Sequence, residues 1–136
     1  MRYKSFRSPP LRLLFSLIGL VAAGLSSSCS SSSAQGTLIV DWTVNTTTDT
    51  AVCDQNIGWV VVELRDGYGR AIANHGPCHA FTTEFGGTGV GHYTLSAYLL
   101  NAGDDTTLST VAPMPVEVSE DLTNTVSIDF PIPVAP

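Results

Sequence analysis

Alternation of apolar and polar residues over short segments most restricts how this chain can fold. In residues 37–44 (TLIVDWTV) every second residue is apolar, from Leu38 to Val44. The same period of two recurs in three further segments: 58–66 (GWVVVELRD), 92–100 (HYTLSAYLL) and 125–130 (TVSIDF). Successive side chains of a β-strand point to opposite faces, so this period predicts strands that each bury one face.

Turn-forming residues separate these segments. Gly, Asn and Asp are concentrated at 45–49, 66–67, 86–91, 101–105 and 120–124, and shorter strand candidates lie at 78–85, 107–112 and 116–118. No window beyond residue 36 has the apolar stripe of an amphipathic helix. We therefore predict an all-β fold, an antiparallel β-sandwich of about six to eight strands. Prolines are expected on edge strands or connections: Pro113, Pro115, Pro131, Pro133 and Pro136.

The first 28 residues have the composition of a secretory signal peptide. Four of the six basic residues lie within 1–12, an apolar run follows at 13–25, and small residues occupy 26–28. That order is typical of export signals, and the run is shorter than the roughly 20 apolar residues of a membrane-spanning helix. We predict a signal peptide at 1–28, a Ser-rich tether at 29–35 and a β-sandwich domain at 36–136.

Cys29 stands directly after the leader, in the stretch LSSSC, and four serines follow it. The stretch resembles the signal of bacterial lipoproteins, in which small residues precede a cysteine that becomes the lipidated first residue. The resemblance implies acyl chains such as palmitate on Cys29. It also implies an outer-membrane location, because Ser30 rather than aspartate follows the cysteine. The leucine that the family has three places before the cysteine lies one place further away, at Leu25. Plain secretion with cleavage after Ala34 is therefore the alternative.

The charge of the exported part restricts its partners. All twelve acidic residues but only two of the six basic residues lie beyond residue 28, which gives that part a formal charge of −10. Binding to nucleic acid or to anionic headgroups depends on Lys and Arg contacts. We expect no nucleic-acid partner and no electrostatic membrane binding. The predicted membrane contact is the lipid anchor.

Two cysteines remain once Cys29 is assigned to the anchor. An even count in an exported protein favours a disulfide between Cys53 and Cys78. The alternative is a zinc site in which His75 and His79 join the two cysteines. Zinc motifs usually space their ligands as separated pairs, whereas Cys78 and His79 are adjacent. We expect the disulfide, with no metal and no cofactor.

Catalytic motifs are absent from the sequence. It has no Gly-x-Ser-x-Gly elbow, and Glu63 and Glu84 are two isolated acids among twelve. We expect that the protein is not an enzyme. A binding role would need exposed aromatic side chains for a glycan or protein partner. The candidates are Tyr68, Phe81, Phe85 and Tyr98, and the alternative for each of them is a place in the core.

The segment GHYTLSAYLLNAGDD at 91–105 pairs a Gly-x-Tyr-x-Leu strand with a Gly/Asp turn. It resembles the small immunoglobulin-like and transthyretin-like sandwiches of bacterial surface proteins. What this resemblance implies is the sandwich architecture alone, since architecture does not determine function. Together with the predicted lipid anchor on Cys29, it leads us to expect an envelope-facing module with a structural or interaction role. The alternative is a plainly secreted carbohydrate- or protein-binding domain.

Overall fold

Strands account for most of the described chain. The computed structural model describes residues 33–53 and 56–133. The strands are β1 (Gln35–Val44), β2 (Ile57–Asp66), β3 (Ala71–Pro77), β4 (Thr82–Gly89), β5 (Gly91–Asn101), β6 (Thr107–Val118) and β7 (Thr123–Phe130). Two short 3-10 helices lie at Thr50–Cys53 and Cys78–Ala80. In the described residues no helix has the length and apolar character needed to cross a membrane. The predicted signal peptide, Cys29 and most of the serine tether lie outside the described residues.

The seven strands form two sheets, which confirms the predicted all-β sandwich. One sheet has the order β4-β1-β7 and the other has the order β3-β2-β5-β6. Every pairing is antiparallel except β1 with β7, which run parallel in register from Thr37 opposite Thr123 to Val44 opposite Phe130. β7 can pair in this way because it follows β6 of the other sheet and is not joined to β1 by a hairpin.

The core lies between the facing sides of the two sheets. The fully buried large side chains are those that the alternating pattern places on one face: Leu38, Val40, Trp42 and Val44 of β1; Val60, Val62 and Leu64 of β2; Leu95 and Leu99 of β5; Val118 of β6; Phe130 of β7. At roughly 1.5–3 kcal/mol for each such side chain, this layer is the main source of stability. The indole Nε1 of Trp42 donates a buried hydrogen bond of 2.9 Å to the carbonyl of Cys78.

Side-chain hydrogen bonds join the edges of the two sheets. Asn74 Nδ2 donates to the carbonyl of Glu84 at 2.6 Å, which ties β3 to β4. On the opposite side, Asn124 Nδ2 donates to the carbonyl of Glu117 at 2.8 Å, which ties β7 to β6. Ser109 Oγ adds a 2.8 Å bond to the carbonyl of Pro131. These bonds link the two sheets at both edges of the sandwich.

Three local expectations were wrong. The segment 78–85 is not one strand, because Cys78–Ala80 forms a 3-10 helix and β4 begins at Thr82. Most of 86–91, predicted as a turn, belongs to β4. The strand β3 was not predicted, and the two short candidates at 107–112 and 116–118 are one long strand, β6. β6 is an edge strand, as expected for Pro113 and Pro115, since a free edge does not require every backbone N–H.

The sandwich has two ends that carry different loops. The near end is where β1 begins, and it holds residues 33–35, the β2–β3 loop (67–70), the β4–β5 loop (Val90) and the β6–β7 loop (119–122). The far end is where β1 finishes, and it holds the β1–β2, β3–β4 and β5–β6 loops. The strand pairings place these loops together, since Gln35 lies opposite Gly89 and Asp66 opposite Tyr93.

Candidate functional site

The near end receives the segment that follows the predicted tether. The carbonyl of Ala34 accepts a 3.1 Å bond from the Val90 N–H, and the carbonyl of Gln35 accepts a 3.0 Å bond from the Asp121 N–H. Thr37 N–H donates to the carbonyl of Leu122 at 3.0 Å. The chain is therefore held by two loops where it enters the domain. Cys29 itself lies outside the described residues, so its lipidation stays a prediction.

The disulfide between Cys53 and Cys78 is confirmed. Their Cα atoms are 5.7 Å apart, and the bond joins the β1–β2 and β3–β4 loops across 25 sequence positions. Both residues belong to the hydrophobic core. Because the bridge uses both sulfurs, the alternative Cys2His2 zinc site loses two of its four ligands. A disulfide is also typical of an oxidising compartment outside the cytoplasm.

The two histidines near Cys78 belong to different elements. His75 is exposed on β3, and His79 is exposed in the second 3-10 helix. Within residues 33–53 and 56–133, no group of three or more His, Cys, Asp or Glu side chains could hold a metal ion.

Glu63 and Glu84 belong to different sheets and form no carboxylate pair. Glu63 lies on β2, where its Oε1 accepts a 2.7 Å hydrogen bond from Nη2 of Arg65. Glu84 is exposed on β4 of the other sheet. Acid–base chemistry of the glycosidase kind needs the two carboxyl groups on either side of one substrate bond. Glu63 and Glu84 instead lie on the outer faces of opposite sheets, with the core layer between those faces.

The four candidate aromatic residues have four different environments. Tyr68 is 89% exposed in the β2–β3 loop, whereas Phe85 is only 5% exposed and belongs to the core. Tyr98 is half-buried on the outer face of β5, and Phe81 is half-buried against the core. Of the two roles considered for Phe85, surface or core, the structure shows the core role, because β4 directs this side chain between the sheets.

Trp59 is an exposed aromatic residue that the sequence reasoning missed as a surface candidate. It is 44% exposed on the outer face of β2, and its ring meets the His75 ring edge-on with centroids 5.8 Å apart. A shallow groove of about 390 Å³ adjoins it, lined also by Val61, Leu100 and Asp105. An aromatic face beside an imidazole and a carboxylate can stack on a sugar ring or hold an apolar side chain of a partner. The alternation in 58–66 could have identified Trp59 as a surface residue. Because Val60 and Val62 point inward, the side chain of Trp59 must point outward.

A second groove, of about 400 Å³, lies beside Phe81 and has carboxylates at its rim. Phe81 has a left-handed backbone (φ 54°) because it ends the second 3-10 helix, and its N–H donates to the carbonyl of Cys78 at 3.2 Å. The rim carboxylate of Asp129 accepts hydrogen bonds from Thr43 Oγ1 (2.6 Å) and from the Thr46 N–H (2.7 Å). These bonds give Asp129 a structural role in the turn that follows β1.

Both arginines of the described residues lie towards the near end and are paired with acids. Arg70 Nε donates to Asp66 Oδ2 at 2.7 Å, and the guanidinium lies 5.5 Å from the centre of the Tyr68 ring. Desolvation alone would raise the pKa of Asp66. Hydrogen bonds from the backbone and side chain of Arg70 and from the Tyr68 N–H outweigh it, so the pKa is lowered from 3.8. At the far end, hydrogen bonds from the hydroxyl and the N–H of Thr106 likewise lower the pKa of Asp104.

Comparison with known proteins shows the fold alone. No protein-family model and no curated protein matches the sequence. Among solved structures, the chain is similar to GBS52, the minor pilin of the Gram-positive pathogen Streptococcus agalactiae, with a TM-score of 0.52 and 19% identity. The match covers 76% of this chain and 47% of that one, so this chain spans less than half of the pilin. A leucine-rich repeat protein from Bacteroides thetaiotaomicron matches with a TM-score of 0.41 and 12% identity, over 76% of this chain and 14% of the other. The sandwich architecture is therefore shared with a pilin, and membership of an immunoglobulin-like or transthyretin-like family stays a prediction.

Proposed function

We propose that this protein is an exported β-sandwich module of the bacterial cell envelope, held at the membrane by lipid on Cys29, with a structural or interaction role. One observation carries the proposal: the first strand of a self-contained, disulfide-linked sandwich begins at Gln35, only six positions after the cysteine of a lipoprotein-like signal. Two or more acyl chains on one residue are enough for stable membrane attachment.

The similarity to a minor pilin supports the structural part of the proposal. A pilin is a component of a cell-surface assembly, and this chain shares its sandwich architecture. The disulfide supports an oxidising location. The outer membrane is the specific address that Ser30 suggests. An interaction role would use the groove beside Trp59, which offers an aromatic face at the far end of the domain.

The test is the fate of Cys29 in cells. The full chain and its Cys29→Ala variant are expressed in a diderm bacterium, and the mature N-terminus is determined by mass spectrometry. We expect wild type to begin at a lipid-modified Cys29, to resist extraction by high salt and to be released by detergent. Cys29→Ala should keep its leader, because lipidation precedes cleavage in this pathway.

A variant that lacks the other two cysteines, Cys53→Ala/Cys78→Ala, is the matched control and should still be lipidated. A wild-type chain that begins at Gln35 and is entirely soluble would contradict the proposal. That result would favour the alternative, a plainly secreted carbohydrate- or protein-binding domain.

A further inference from the structure

Exposed apolar side chains are concentrated at the near end of the sandwich. Five large hydrophobic side chains are exposed in the described residues: Trp59, Tyr68, Ile72, Val90 and Leu122. Tyr68, Val90 and Leu122 lie in near-end loops, and Ile72 is the second residue of β3, next to the loop of Tyr68. Trp59 is the one of the five that lies towards the far end. Scattered single exposed hydrophobics are ordinary, but a cluster at one end of a domain marks a contact surface.

Three of these residues stand on three different loops of that end. Tyr68 is 89% exposed on the β2–β3 loop, Val90 is 45% exposed on the β4–β5 loop and Leu122 is 58% exposed on the β6–β7 loop. Val90 and Leu122 are hydrogen-bonded through their backbones to Ala34 and Thr37, on either side of the start of β1. Val90 and Leu122 thus flank the point where the chain arrives from Cys29, and Tyr68 lies at the same end of the opposite sheet.

We propose that this near end rests on the membrane surface, with Tyr68, Val90 and Leu122 entering the interfacial layer of the bilayer. The inference rests on the proposed anchoring at Cys29 and adds the face and residues that meet the lipid.

The length of the tether favours the membrane as the occupant of this surface. Cys29 is six positions before Gln35, and six extended residues span at most about 20 Å. β1 has 10 residues, so the far end lies roughly 33 Å beyond the near end at the usual rise per strand residue. On β2, Trp59 lies seven residues before Asp66, so its groove is roughly 23 Å from the near end. The near-end loops therefore meet a bilayer that holds the acyl chains of Cys29 before the groove does.

The polar residues of the near end fit shallow contact with headgroups. Tyr68 is an amphipathic side chain of the type enriched at membrane interfaces, and Arg70, whose side chain is 79% exposed, lies beside it. Glu120 and Asp121 precede Leu122 and are exposed. Charged residues on the same loop prevent deep insertion, since carboxylates stay in water, so only the apolar tips enter the interface.

The test replaces the lipid that cells would attach to Cys29 by a single alkyl chain, which binds membranes only weakly. A chain of residues 29–136, which contains the whole core, is oxidised so that Cys29 has the sole free thiol, and that thiol is alkylated with N-tetradecylmaleimide. One acyl chain of this length gives only marginal, reversible binding. Partition into vesicles of phosphatidylethanolamine with a minority of phosphatidylglycerol is then measured by sedimentation.

We expect the triple variant Tyr68→Ser/Val90→Ser/Leu122→Ser to partition about tenfold more weakly than wild type, because its apolar tips no longer leave water. The matched control is Trp59→Ser, which removes a larger exposed apolar side chain from the far end and should leave partition unchanged. Single variants Tyr68→Ser and Leu122→Ser should each give part of the loss, and thermal unfolding verifies that each variant is folded.

Equal partition of wild type and the triple variant, or an equal loss in Trp59→Ser, would overturn the inference. In the first case the near-end residues would have to meet a protein partner instead. Since the alkyl chain is attached chemically, the result does not depend on whether cells lipidate Cys29. Failure of the inference and failure of the proposed function therefore appear in separate measurements.

Discussion

Loss of the disulfide between Cys53 and Cys78 should strongly destabilise this domain. The bond closes a loop of 25 positions, and the chain-entropy relation gives about 3.5 kcal/mol of stabilisation for a loop of that length. For a domain of about 100 residues this corresponds to a fall in Tm of about 15–25 °C. The sulfurs also belong to the core, as Cys78 is 1% exposed and Cys53 is 9% exposed.

The assay is thermal unfolding followed by circular dichroism, with and without reductant. The chain carries Cys29→Ser, so that the two remaining cysteines are the only source of thiols. We expect the oxidised form to unfold at a higher temperature than the reduced form by the amount given above. The double variant Cys53→Ala/Cys78→Ala should unfold near the temperature of the reduced form and should not respond to reductant.

Two results would refute this reasoning. One is alkylation of both cysteines before any reductant is added, which would show that the bond does not form in the folded protein. The other is a Tm that changes by less than about 3 °C on reduction, far below the expected range. In that case the loops at the far end would be held by their packing and hydrogen bonds, such as that from Trp42 to the Cys78 carbonyl, and not by the covalent link.

Two further predictions concern a glycine and a carboxylate at the near end. Gly36→Ala should destabilise the domain by about 2 kcal/mol or more in urea unfolding, because a Cβ there would overlap the carbonyl oxygen of Ser119, whereas Gly67→Ala, with open space around it, should be nearly neutral. Folding lowers the pKa of Asp66 from 3.8. The ionised carboxylate therefore stabilises the folded state above that pH, and this stabilisation is lost as the pH falls through the lower folded value. Between pH 5 and pH 2, Tm should therefore fall less in Asp66→Asn than in wild type.

The long strands could be predicted closely from the sequence because their own residues determine the buried face. The predicted segments 37–44, 58–66, 92–100 and 125–130 each lie inside an observed strand and miss its ends by at most two residues. In each of them, alternate apolar residues meet the opposite sheet, so the local pattern and the tertiary environment agree.

β3 could not be predicted because its neighbours, and not its own residues, determine its place. It pairs on one side only with β2, and most of its residues are exposed. Its inward contact is made by Gly76, where an added Cβ would lie 3.4 Å from the Trp42 ring. Because its inward residue is a glycine, β3 lacks the alternation of apolar and polar side chains by which a strand is recognised in a sequence.

In the candidate site too, some features follow from the local sequence and others depend on the tertiary structure. The disulfide followed from counting cysteines, but the surface residues depend on which end of the sandwich each loop occupies. Tyr68, Val90 and Leu122 are far apart in sequence and come together only because β2, β4 and β6 all finish at the near end. The sequence reasoning considered Tyr68 alone among them, since single loop residues have no periodicity that would relate one to another.

The two ends of the sandwich are built in ways that suit different surroundings. At the far end, the disulfide joins the β1–β2 loop to the four-residue β3–β4 loop (78–81), and the Asn45 side chain accepts a 2.8 Å bond from the Ile132 N–H. At the near end the loops are short and hold the incoming chain through backbone hydrogen bonds alone. With Cys29 in a membrane, the covalently fixed end and the groove beside Trp59 would face away from the lipid. A partner that uses this groove, as proposed above, would then approach from the side away from the lipid, and removing Trp59 should weaken binding of that partner without affecting the anchor.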